Sequence, residues 1–183
     1  MKKFIFLILS SILVSCDSMV PSEEQTSKTD VQLVREVRLQ AAQKLKAQYN
    51  LQPCGSGSQM MHEIKMIALS FNYYSPLTLD EARNLLLAST DELMNAVNNN
   101  VDIRQFLGNY PFLPKNIEIR IFLYNPDGSN PPEGSLSVIS SINGILDYEI
   151  DNSKTGLFTH VLKETYVEAV ENQKHHFDAS NKY

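Results

Sequence analysis

The chain reads as an α+β domain in which helices cover one face of an antiparallel sheet of three to four strands. Three observations carry this reading. Residues 117–124 alternate with a period of two, Asn143-Gly144 separates two apolar runs, and residues 30–49 and 78–97 repeat apolar side chains every three or four positions.

The first helix is amphipathic, with Val31, Val34, Val37, Ala41 and Leu45 on its apolar side. Arg35, Arg38, Lys44 and Lys46 give it a basic solvated side, and Asn50 can end it. Pro53-Cys54-Gly55-Ser56-Gly57-Ser58 follows as a loop. In residues 64–74, Ile67, Leu69, Phe71 and Tyr73 alternate with smaller or polar residues, which predicts a strand; Met60, Ile64, Ile67 and Phe71 also fit helical spacing. Thr78-Leu79-Asp80-Glu81 is a capping box: the threonine hydroxyl takes a free amide proton and the glutamate reaches back to the cap. Ala82, Leu85, Leu86, Leu93 and Val97 form the face of the helix it opens, which Asn98-Asn99-Asn100 closes. A short helix over 101–107, stopped at Gly108, which can take the left-handed conformation, and a proline-pinned connection over 109–114 lead to the strands.

Ile117, Ile119, Ile121 and Leu123 share one face of the next strand; Glu118, Arg120, Phe122 and Tyr124 share the other. A long polar turn with Pro126, Gly128, Pro131 and Pro132 precedes strands over 136–142 and 145–150. Asn143-Gly144 joins these two as a hairpin, since both residues tolerate positive φ. Phe158, Val161, Leu162, Thr165 and Ala169 predict a C-terminal helix. The expected division is a leader over 1–15, a flexible tether over 16–29, one domain over 30–172 and a disordered tail over 173–183.

The leader is defined by its own chemistry. Lys2 and Lys3 precede an eleven-residue apolar run, 4–14, broken only by Ser10 and Ser11. Crossing a bilayer takes about 20 apolar residues, so this run matches a secretory signal and not a span. It ends in Leu13-Val14-Ser15-Cys16, which resembles the lipobox of bacterial lipoproteins. The resemblance covers only the first sixteen residues. It implies lipid transfer to the Cys16 thiol, cleavage before it, and further acylation with chains such as palmitate. Two or three such chains anchor stably where one does not. The resemblance also implies that an Asp directly after the lipidated residue, here Asp17, favours the periplasmic face of the inner membrane, and the outer membrane stays open as an alternative.

Charge narrows the partners. The chain has 16 basic and 21 acidic residues; removal of Lys2 and Lys3 leaves 14 − 21 = −7. Nucleic acid is a poor partner for such a surface, because cationic side chains supply most of that affinity. With Cys16 lipidated, Cys54 has no partner in the chain and is either a buried filler or a lone thiol.

Signals for chemistry are weak. Lys154-Thr155-Gly156 matches one triplet of penicillin-binding proteins, but the accompanying serine motifs are absent. Cys54 has no histidine that the sequence places beside it; His62 and His160 are the available bases. The adjacent His175-His176 pair is poorly spaced for one metal, and Glu63, Glu81, Asp91 and Glu92 form no paired-carboxylate site. No cofactor or metal is implied. The remaining signal is aromatic: Phe122, Tyr124, Tyr110 and Phe112 are the expected interaction surface. The functional expectation is a lipid-anchored, non-enzymatic envelope protein that binds a protein partner. A small hydrolase or transferase, and a structural envelope subunit, are the alternatives.

Overall fold

The computed structural model describes residues 28–152 and 156–180, with side chains described to residue 174. The lipobox with Cys16, Asp17, Lys154 and Thr155, and the side chains of His175 and His176, therefore lie outside the described residues.

Helix α1 (Asp30–Tyr49) opens on a Thr29–Gln32 capping box and closes at Asn50, which is left-handed at φ 56°. It buries Leu33, Val34, Val37, Ala41, Ala42 and Leu45, whereas Val31 points to solvent. Strands β1 (Gln52–Met60) and β2 (Ile64–Tyr73) follow, then α2 (Leu79–Asn99). Two short 3₁₀ turns, Ile103–Phe106 and Pro114–Asn116, lead to β3 (Ile117–Leu123), β4 (Leu136–Ile142), β5 (Ile145–Asn152), β6 (Leu157–Thr165) and α3 (Tyr166–Ser180). The Tyr110–Pro111 peptide is cis.

The six strands form one sheet in the order β1-β2-β3-β4-β5-β6, two to three more than expected. The sheet is mixed: β2 and β3 run parallel, while every other neighbouring pair is antiparallel. A parallel pair needs a crossover, and α2 supplies it. The expected meander exists as β3-β4-β5, with Asn143 and Gly144 at φ 52° and 75°, the doubly left-handed turn that such a hairpin needs.

Two segments depart from the expected elements. The Pro53–Ser58 loop is strand β1, held by backbone pairing to β2 and largely exposed, so its Gly and Ser residues carry no hydrophobic alternation to read. The stretch from Phe158 is strand β6; its pairing with β5 shifts register between Tyr148 and Glu149, leaving Val161 as an extra residue. That bulge breaks the period of two and leaves a three- and four-residue spacing that imitates a helix. Helix α3 starts only at Tyr166, on a third capping box between Thr165 and Glu168, and runs past Asn172 to Ser180. Gly108 is also not left-handed; its amide donates to the Ile64 carbonyl, tying the 3₁₀ turn to the start of β2.

The three described α-helices lie on one face of the sheet: α1 over β1 and β2, α2 over β3 to β5, α3 over β5 and β6. Ile67, Leu69, Phe71, Ile117, Ile119, Ile121, Ile139, Leu146 and Tyr148 project into that layer and are buried. Here sits a buried charged network. Arg83 Nε of α2 donates to Glu164 Oε1 of β6 at 2.7 Å, Tyr148 Oη donates to the same oxygen at 2.7 Å, and Asn172 Nδ2 of α3 reaches Oε2 at 2.8 Å. Burial pushes the Tyr148 hydroxyl pKa far up, and the bond and charge of Glu164 add to it. For Arg83, burial alone lowers the pKa; the Glu164 bond and charge outweigh it and hold it raised.

The caps have a pH signature. The carboxyls of Glu81 and Glu168 are held below their ordinary value of 4.5, first by the backbone amides of Thr78 and Thr165 and then by their hydroxyls. The unfolded chain then binds more protons in acid, so the caps' stabilisation is complete above pH 4.5 and is lost as pH falls through the lower folded values. Urea denaturation across pH 3–7 should show this acid fall, and a Glu81→Gln/Glu168→Gln variant should show a shallower one. Equal slopes in both proteins would assign the fall to other carboxylates.

Candidate functional site

With the helices on one face, the opposite face of the sheet carries the side chains available for recognition. Strand register places them in rows. Asn72, Phe122, Val138, Glu149 and His160 lie side by side across β2 to β6, and Ser70, Arg120, Ser140, Asp147 and Lys163 form the next row.

At one end of this face Tyr74 and Tyr124 stack with ring centroids 5.5 Å apart and planes 26° off parallel. Phe122 is half-buried beside them, and Phe158 of β6 is 52% exposed. Phe122, Tyr124, Pro131, Val138, Asp151 and Phe158 line a shallow groove of about 90 Å³. A larger cleft of about 250 Å³ lies across the 131–132 prolines at the sheet end, among Leu77, Leu79, Leu123, Leu136, Ile150 and Val161. A third, polar one of about 280 Å³ lies between α1 and α2, beside the Lys44–Glu92 ion pair.

The expected aromatic quartet is thus divided. Phe122 and Tyr124 are on the helix-free face. Tyr110 is 51% exposed but sits near the start of β3, with Arg104 stacked 4.7 Å over its ring and its hydroxyl against the Asn98 carbonyl. Phe112 is 1% exposed and belongs to the core, so it is no part of a surface. The Asn98 side chain pins it there, accepting from the Phe112 amide at 2.7 Å and donating to its carbonyl at 3.0 Å.

Next to the aromatic groove lies a cluster that the sequence did not disclose. Asp147 and Glu149 are two residues apart on β5 and therefore point to the same face, and His160 of β6 stands between them. His160 Nδ1 is 2.9 Å from Asp147 Oδ1 and 3.2 Å from Glu149 Oε1, and Lys163 Nζ holds Asp147 Oδ2 at 3.1 Å. The signal was the Asp-x-Glu pair within a strand; assigning His160 to a helix hid the third member.

Cys54 and its candidate bases, His62 and His160, do not meet. Cys54 is an exposed free thiol on β1, not a buried filler, and such burial as it has raises its pKa, keeping it protonated near neutrality. His160 is five strand spacings away, roughly 24 Å. His62 lies in the turn at the far end of β1, roughly 20 Å along the strand. Among the described residues, none of the groups with a displaced pKa lines these clefts. No described helix is long and apolar enough to cross a membrane. No family model, curated protein or solved structure matches the chain.

Proposed function

We propose that this protein is a lipid-anchored, non-enzymatic binding module of a bacterial cell envelope, tethered through acylated Cys16 and holding a protein partner on its helix-free sheet face. The anchor half rests on the Leu13-Val14-Ser15-Cys16 motif behind an apolar run too short to span. The observation that carries the binding half is the aromatic group itself: Tyr74, Tyr124, Phe122 and Phe158 gather on the sheet face that none of the described helices covers. Interaction surfaces are enriched in aromatic side chains at their centre, with a polar rim around them. Asp151, which lines the groove beside these aromatics, suits a partner surface with an apolar centre and a basic rim. Asp17 favours the periplasmic face of the inner membrane as the site of anchoring.

The test separates the two halves. Cys16→Ala should remove the lipid mass and leave the 1–15 leader attached; a natural protein that carries no lipid mass on Cys16, or a processed Cys16→Ala protein, would refute the anchor. Cross-linked capture of the lipidated protein from its own membranes should yield a defined partner that Phe122→Ala/Phe158→Asp loses while remaining membrane-bound. Capture that survives this double change would place the binding surface elsewhere.

A further inference from the structure

We propose that Asp147, Glu149 and His160 form a surface site for a divalent transition-metal ion of the zinc class. The reading is independent of the lipid anchor. Two carboxylate oxygens converge on one imidazole nitrogen, at 2.9 and 3.2 Å from His160 Nδ1, and all three donor atoms lie within 4.8 Å of one another. Neighbouring ligand atoms on a tetrahedral zinc, with bonds near 2.0–2.1 Å, stand about 3.3 Å apart. The 3.2 Å separation is close to that edge and the 2.9 Å one somewhat shorter, so small rotations about the carboxylate and imidazole bonds would fit all three donors to one ion.

The hydrogen-bonded arrangement alone leaves a mismatch. A neutral imidazole nitrogen holds at most one proton and serves one acceptor fully, whereas two acceptors are aimed at this one. A cation at their centre serves both. Preorganisation is also uneven in a useful way. The Asp147 and Glu149 side chains are only 16% and 19% exposed, fixed by the strand and its neighbours, while His160 is 51% exposed and free to rotate onto an ion. The Val161 bulge sets the register that puts His160 opposite Glu149. Lys163, half-exposed, occupies the other oxygen of Asp147 and would withdraw when a cation binds. An imidazole among the donors selects zinc, cobalt or copper over magnesium and calcium, which prefer oxygen alone.

The experiment uses the full-length protein in detergent, titrated with Zn²⁺ by calorimetry and with Co²⁺ by its visible absorption, beside Mg²⁺. Cys54→Ser and His175→Gln/His176→Gln controls remove the other soft donors. One Zn²⁺ per chain is expected, unaffected by either control. Affinity should fall by at least about tenfold, the lower end of what disturbing even an outer partner of a metal costs, in His160→Gln and in Glu149→Gln. Lys163→Met should tighten binding. Because His160 and Lys163 are surface side chains, circular dichroism should show both variants folded. No Zn²⁺ binding, binding lost with the tail histidines or Cys54, or equal affinity in His160→Gln would each overturn the site.

Discussion

Glu164→Ala is expected to destabilise the fold by about 3–5 kcal/mol, the cost of leaving one half of a buried ion pair without the other. Arg83 and Glu164 are 7% and 6% exposed, so water does not take the place of the missing carboxylate. Three donors lose their acceptor together: the Arg83 guanidinium, the Tyr148 hydroxyl and the Asn172 amide. Asp80, bonded to the other side of Arg83, keeps the cation from being wholly orphaned and places the loss within that range. An Arg83→Met/Glu164→Met variant removes both charges and should lose less than the single change does. Chemical denaturation of the three proteins decides the matter. A single-variant loss below about 1 kcal/mol, the worth of an exposed pair, would mean that solvent reaches the network.

Phe112→Ala is the second large effect, again about 3–5 kcal/mol, from lost burial and the cavity that remains. The ring is fully enclosed, and the Asn98 bonds to the residue's own amide and carbonyl hold its backbone so that the site cannot easily collapse. Phe122→Ala, at a half-buried position on the helix-free face, should cost much less and should instead weaken partner capture. Denaturation midpoints measured with capture yields make the contrast a double dissociation. Comparable stability losses for the two phenylalanines would erase the distinction between core and surface.

The parts of this fold legible in the sequence were those whose side chains repeat with the geometry of one element. The Ile117-Ile119-Ile121 alternation, the Thr78–Glu81 cap and the Asn143-Gly144 turn each name a local structure with a physical cause. Strand β1 was hidden because its backbone, not its side chains, binds it to β2. Strand β6 was hidden because the Val161 bulge shifts the phase of its apolar residues. Beside it, Thr165-x-x-Glu168 is the same cap signature as Thr78-x-x-Glu81, and it fixes where α3 begins. The parallel pairing of β2 with β3 has no local signature, since it joins residues some fifty positions apart. The carboxylate–histidine cluster shared that fate: two members were readable in β5, and the third depended on cross-strand register.

That parallel junction divides the sheet into two pieces of different chain economy. On one side, β1 and β2 pair across a short turn; on the other, β3 to β6 pair in sequence through successive turns. Each piece is assembled from neighbours along the chain. Only the β2–β3 seam requires a loop that must first contain all of α2, so the entropy of chain closure is concentrated there. The buried pairs along this line, Ile67 with Ile117 and Leu69 with Ile119, lie under α1 on the β2 side and α2 on the β3 side, and are therefore the contacts that weld two locally formed pieces into one sheet.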